Sequence, residues 1–189
     1  MDLKLYEEIL SIIKTKSNVI LRHDVDVSLE DAHYMAFIEY LNGVKAKYYI
    51  RFDCDYYNPY TKQNKQRLNQ INSYGHETGL HIEVNNEEDL KKIGGLKSFT
   101  FHINNEFTKT LTEEYYYGVR NDSLIKGGYV SDSRGEFNEE KLQYIKDNDN
   151  FTLVIHPEWW LNAGTKEERI THTLNKIKEQ AIKEICPKG

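Results

Sequence analysis

Cysteine, proline and long apolar runs are scarce in this chain, and each scarcity excludes something. Of 189 residues only Cys54 and Cys186 are cysteines, too few for a disulfide framework. A chain of this length hides roughly 70% of its unfolded surface on folding, so it needs no such staple. With three prolines, no Pro-, Gly- or Ser-rich stretch and no fixed-period repeat, nothing reads as a linker. Residues 1–189 are therefore expected to form a single domain. No apolar run approaches the ~20 residues that span a bilayer. The opening Met1-Asp-Leu-Lys-Leu-Tyr-Glu-Glu lacks the basic patch, apolar core and small-residue cleavage site of a secretory signal. The expectation is a cytoplasmic protein without a membrane span. Basic charge is not in excess either: 25 Lys and Arg face 30 Asp and Glu, a net −5 that disfavours a grip on nucleic acid. Nothing in the sequence marks an oligomeric state.

What is present is an alternation. Leu5, Ile9, Ile12 and Ile13 fall at helical spacing between Leu3 and about Lys14, and Asn18 to Leu21 makes a short apolar run typical of a buried strand. Ser28 then caps a helix that closes at Asn42-Gly43. The unit recurs: strand Ala46 to Ile50, helix Lys62 to Tyr74, strand Thr78 to Ile82. A short helix follows, capped by Asn86 and stopped at Gly94-Gly95, and Ser98 to Phe101 is the next strand. Thr108 to Gly128 has no clear period, although Tyr115-Tyr116-Tyr117 has strand propensity. Tyr129-Val130 is strand-like, Asn138 caps a helix through Ile145, Phe151 to Ile155 is a buried strand, and Thr165 with Glu168 makes a capping box for a last helix. Short apolar strands alternating with amphipathic helices predict a parallel sheet with helices outside, whose chemistry collects at the carboxyl ends of the strands.

Those ends carry acids and imidazoles. The first strand leads into Arg22-His23-Asp24-Val25-Asp26, the third holds His81, the fourth is followed by His102, Tyr129-Val130 by Ser131-Asp132-Ser133, and the last strand by His156-Pro157-Glu158-Trp159-Trp160. Two aspartates one residue apart in extended chain face the same side, so Asp24 and Asp26 reach one site. Carboxylates held that close repel unless a cation or a proton intervenes, and a divalent metal is the natural third party. Zinc accepts both carboxylate oxygen and imidazole nitrogen, and a catalytic site keeps one position open for water. His81 and His102 are the best imidazole candidates. Asp24 and Asp26 read alternatively as a strand-end turn or a helix-capping pair, and His156 as a buried structural histidine.

Arg-His-Asp-Val-Asp at the first strand, Gly-His-Glu-Thr-Gly-Leu-His around the third and the late Leu-Val-Ile-His-Pro resemble the NodB-type polysaccharide deacetylases, carbohydrate esterase family 4. The motifs are short and spread over residues 17 to 160. The resemblance implies a distorted (β/α) barrel of about seven parallel strands with outer helices, and a divalent metal bound by one Asp and two His; with the donor chemistry above, the expected ion is zinc. It implies that Asp24 is the catalytic base, Asp26 and His81 are metal ligands, and His156 is the general acid. Two departures stand out. The second metal histidine of the family lies four residues after the first, where this chain has Asn85, and the family's Arg-Pro motif is replaced by Phe101-His102-Ile103-Asn104-Asn105. His102 is expected to supply the missing imidazole from the neighbouring strand end, and Arg120 or Arg134 to replace the arginine that orients the base.

The function this implies is metal-assisted hydrolysis of an N-acetyl or O-acetyl group on a small sugar or glycan intermediate. Trp159 and Trp160 are expected to help bind the sugar ring. His23, His76 and Asp132 are expected to hydrogen bond in the shell around the site, and His33 and His172 to lie on helix surfaces. Cys54, without a neighbouring cysteine, is not counted as a ligand. Two other readings are an inactive carbohydrate-binding or scaffold descendant of the same fold, and a metal-dependent hydrolase of a non-sugar amide.

Overall fold

The structure, a computed structural model, describes residues 1–93, 97–125 and 127–186. Six α-helices are described: α1 (Leu3–Ile13), α2 (Leu29–Asn42), α3 (Lys62–Ser73), α4 (Glu87–Lys91), α5 (Glu139–Asp147) and α6 (Lys166–Ile185). Each begins where a side chain accepts a hydrogen bond from a free N–H of the first turn, which fixes its start: Asp2, Ser28, Thr61, Asn86, Asn138 and, as a full capping box with Glu168, Thr165. Helix α2 ends at Gly43, whose φ of 70° is the left-handed cap that a residue with a Cβ adopts only under strain. The expected stop of α4 at Gly94-Gly95 lies outside the described residues.

Eight strands alternate with these helices: β1 (Asn18–Val25), β2 (Lys47–Ile50), β3 (Glu77–Ile82), β4 (Ser98–Phe101), β5 (Tyr115–Tyr116), β6 (Val119–Asn121), β7 (Gly128–Ser131) and β8 (Asn150–Ile155). They pair in the order β5-β6-β4-β3-β2-β1-β8-β7. Every pairing is parallel except the short β5–β6 hairpin, so seven strands run parallel with helices outside them, the expected α/β architecture. The segment without a clear period resolves into a 3-10 turn at Thr108–Thr110 and that hairpin. Strand β1 is longer than expected, because its apolar run stops at Leu21 while its pairing with β2 continues through Val25.

Alternation along the strands separates two faces. Leu21 and Val25 of β1, Tyr48 and Ile50 of β2, Val130 of β7 and Phe151, Leu153 and Ile155 of β8 pack against Tyr6, Ile9, Leu10 and Ile13 of α1, Ala32, Met35 and Ala36 of α2, Ile71 of α3 and Ile145 of α5. Burying each large apolar side chain contributes about 1.5–3 kcal/mol, and this face holds much of the stability. A second cluster, Leu80, Val84, Leu90, Ile93, Phe99, Phe101, Leu111 and Val119, covers the β3–β4–β6 side. The intervening residues Arg22, Asp24, Tyr49, Gly79, His81, Thr100, Thr152 and Val154 line the other face of the sheet, where the polar groups gather.

Candidate functional site

Strand β1 presents Arg22 and Asp24 in sequence, with Asp26 one residue beyond its end. Arg22 grips Asp24 with two parallel hydrogen bonds, Nε to Oδ1 at 2.7 Å and Nη2 to Oδ2 at 2.6 Å, with both side chains more than nine-tenths buried. Burial would raise the Asp24 pKa, but the Arg22 charge, His81 and the two Arg22 hydrogen bonds outweigh it and hold the carboxyl well below its ordinary range. The arginine that orients Asp24 is thus Arg22, and the expectation for Arg120 or Arg134 is corrected. Arg120 is engaged by Asp122, at 2.9 Å from both Nε and Nη2, and Arg134 is exposed in a turn with φ of 63°.

Asp26, His81 and His102 each offer one atom to a common point. His81 Nε2 lies 3.4 Å and His102 Nδ1 3.1 Å from Asp26 Oδ1, and the two nitrogens are 3.3 Å apart. These three donor atoms all fall within 4.8 Å of one another. Parallel pairing sets Thr100 beside His81, and Thr100 Oγ1 is 2.7 Å from His81 Nδ1, which orients the ring and turns Nε2 toward Asp26. Burial lowers the His81 pKa to about 4 against the pull of Asp24 and Asp26, so the ring is neutral, the form that ligates a metal. His102 stands two residues beyond Thr100, and its N–H donates to Ile82 O at 2.8 Å, which continues the sheet by one step and brings the ring beside His81.

The donor set fits a divalent ion. Asp26 Oδ1 is buried between the two imidazole nitrogens without a well-formed hydrogen bond, a position that a cation would complete. One carboxylate and two imidazoles form the mixed oxygen and nitrogen set that zinc accepts. Asn85 takes no part: it is exposed, and its Oδ1 accepts from Asn105 Nδ2 at 3.1 Å. Cys54, set aside as a ligand, lies nearby with Sγ 3.1 Å from the Asp26 carbonyl oxygen.

His156, at the end of β8, faces the same point with Nε2 3.7 Å from Asp26 Oδ2. Asp132, fully buried at the end of β7, holds it twice: Oδ1 lies 2.6 Å from Nδ1, and Oδ2 accepts from the His156 backbone N–H at 2.9 Å. Burial would lower the His156 pKa, but the Asp132 hydrogen bond and charge, with Glu158 and Asp24, overcome it and lift it to about 10. The imidazole is a proton donor at neutral pH.

Several expectations change. Trp160, expected at the sugar, is fully buried: its indole packs against Tyr6 and Phe137, and its Nε1 donates to Asp132 Oδ2 at 2.6 Å, so it braces the carboxylate behind His156. Trp159 is partly buried and packs over Gly135, where a Cβ would come within 3.2 Å of its ring. His23 points to the opposite face of β1, away from Asp24. It stacks on Tyr48 with ring centroids 4.3 Å apart, and its Nε2 is 2.5 Å from Glu39 Oε1, which also accepts from Tyr6 while Tyr48 donates to Oε2. His76 joins this second polar cluster instead of the shell around the site, with Nε2 2.9 Å from Ala36 O and Nδ1 accepting from Ala46 N–H at 3.1 Å. His172 is exposed as expected, while His33 is half-buried against Tyr74.

No protein-family model and no curated protein matches the sequence. Solved structures do match the fold. A wild-type CE4 family pseudoenzyme from Bacillus anthracis aligns with a TM-score of 0.52 at 16% identity, over 88% of this chain and 62% of that one. A mutant CE4 family pseudoenzyme with restored enzymatic activity gives 0.51 at 16% identity, over 88% and 64%. A family 4 carbohydrate esterase from Bacillus anthracis gives 0.51 at 16% identity, over 94% and 86%. The chain spans less than two thirds of the two pseudoenzyme structures. The chain therefore shares the fold of these family 4 carbohydrate esterase structures.

Proposed function

We propose that the chain is a metal-dependent deacetylase that hydrolyses an N-acetyl or O-acetyl group of a sugar or glycan intermediate. The observation that carries this is the convergence of Asp26 Oδ1, His81 Nε2 and His102 Nδ1 within 4.8 Å, between an arginine-held Asp24 and a carboxylate-held His156. An ion held by Asp26, His81 and His102, zinc by preference, supplies when bound an acidified water and polarisation of the acyl carbonyl. Asp24, fixed by Arg22, takes the proton of the attacking water. His156, fixed by Asp132 and protonated at neutral pH, gives its proton to the leaving amine or alcohol. An amide substrate needs this step because an unprotonated amine is a poor leaving group. Acetylated glycan as the substrate class is supported by the fold shared with a carbohydrate esterase.

A non-hydrolysing, glycan-binding chain is the second reading. It is favoured by Asn85 standing exposed where the family has its second metal histidine, and by the fold shared with a pseudoenzyme. Acetate release from N-acetylated oligosaccharides by the zinc-loaded chain separates the two. The deacetylase reading predicts turnover that drops about 10²–10⁴-fold in Asp24→Asn, the usual contribution of a general base, with zinc retained. Stoichiometric zinc without acetate release from any acetylated glycan contradicts it.

A further inference from the structure

Arg51 follows β2 and shares the side of Tyr49 by the two-residue period. Its side chain is 12% exposed, with Nη1 3.1 Å from His102 Nε2 and Nη2 donating to Glu83 Oε1 at 3.1 Å. A guanidinium has donors only. In this contact His102 Nε2 is therefore the acceptor, and the neutral ring carries its proton on Nδ1. That nitrogen is the one facing Asp26 Oδ1 at 3.1 Å and His81 Nε2 at 3.3 Å. A proton thus occupies the direction in which His102 would offer a lone pair to a metal.

We propose that Arg51 is a latch on His102, and that Arg51 and Glu83 together decide whether the Asp26–His81–His102 centre accepts a metal ion. The inference rests on the metal centre of the functional reading above. In the latched form Arg51 occupies Nε2 and the Nδ1–H faces Asp26. In the open form Arg51 leaves Nε2, the proton moves from Nδ1 to Nε2, and the Nδ1 lone pair is freed, so the ring keeps one proton throughout. Glu83 Oε1, now 3.8 Å from Nε2, is placed to accept the new N–H. A carboxylate behind a metal-bound imidazole fixes the tautomer and raises the basicity of the ligand. Arg51 also has a place to go. Its Nε is buried with no hydrogen-bond partner, and the exposed Asp53 carboxylate stands 3.7 Å from it, a second acceptor toward which the guanidinium can turn. Arg51 and Glu83 act here as positioning residues through His102.

The test uses the full chain, metal-free and then zinc-loaded, with nitrogen NMR of the His102 ring to read the tautomer and chelator competition to read zinc affinity. The latch predicts Nδ1–H in the metal-free protein and Nε2–H once zinc is bound. It predicts that Arg51→Met binds zinc about tenfold more tightly and that Glu83→Gln binds it about tenfold more weakly, the scale of effect of groups that orient a metal ligand. The tautomer readout separates the latch from simple removal of a positive charge, which would leave the Nδ1–H preference of the metal-free ring unchanged in Arg51→Met. Nε2–H in the metal-free wild-type chain, or unchanged or weaker zinc binding in Arg51→Met, overturns the latch and leaves the metal centre standing. Absence of zinc binding in both proteins overturns the centre and the latch together.

Discussion

At the scale of residues, the site depends on charged groups that cannot stand alone. Arg22 and Asp24 are both buried and bind each other through two short hydrogen bonds. Removing one partner of such a pair strands the other charge, which costs about 3–5 kcal/mol, whereas removing both costs much less. Arg22→Met is therefore expected to lose about 3–5 kcal/mol in denaturant unfolding, and adding Asp24→Asn to restore part of that loss. A double variant less stable than Arg22→Met contradicts the pairing. Asp24 and Asp26 were legible because two carboxylates one residue apart in extended chain share a face. The same period extended back two residues from Asp24 reaches Arg22, whereas the absent Arg-Pro motif downstream says nothing about an arginine on β1 itself. His23 was misplaced for the complementary reason: it alternates with Arg22 and Asp24, so it faces α1 and α2 and ends up in the Tyr6–Glu39–Tyr48 cluster. Trp160 was misplaced because an aromatic next to a candidate catalytic histidine looks like a sugar platform, and only tertiary packing shows it buried behind Asp132.

At the scale of elements, four of the six helix starts were legible from their caps, because Ser28, Asn86, Asn138 and the Thr165–Glu168 box satisfy free N–H groups locally and need no tertiary information. Strand ends were less so. Apolar runs mark the buried stretch of a strand, whereas its pairing carries on into the polar residues that make the site, as β1 does from Arg22 through Val25. Close packing between strands adds a constraint that composition hides. A Cβ on Gly79 of β3 would stand 2.6 Å from Tyr49 Cε1 and 2.9 Å from the Ser98 carbonyl oxygen. Tyr49 donates to Asp122 and lies near Ser98, so its ring is not free to withdraw. Gly79→Ala is expected to destabilise the chain by about 1–3 kcal/mol through overpacking, measured by thermal or denaturant unfolding. Wild-type stability in that variant would contradict the packing between β2 and β3.

At the scale of the whole molecule, the sheet divides labour between its faces: the helix-covered face supplies apolar burial, and the other gathers acids and imidazoles from five strand ends. The second face gives stability a pH dependence. Glu158 is buried with Oε2 unpartnered, and burial, with Asp26 and Asp132 nearby, raises its pKa to about 8 against the pull of His156. The folded chain thus holds this proton more tightly than the unfolded one. Its contribution is fully present below the ordinary Glu value of 4.5 and is lost as pH rises through about 8. His156, raised to about 10 in part by Glu158, works in the same direction, and Glu158→Gln removes that part of the lift as well. Between pH 6 and pH 9 the metal-free wild-type chain is expected to lose stability relative to Glu158→Gln, read as the difference in Tm at each pH. A difference that stays constant over that range contradicts the assignment.

The metal centre is the claim on which the functional reading turns, and anomalous diffraction from crystals of the zinc-loaded chain tests it most directly. The account predicts one strong peak within bonding distance of Asp26, His81 and His102, about 2.0–2.2 Å from one oxygen and two nitrogens. Zinc held elsewhere on the chain, or no ordered peak at these three residues under saturating zinc, would contradict it.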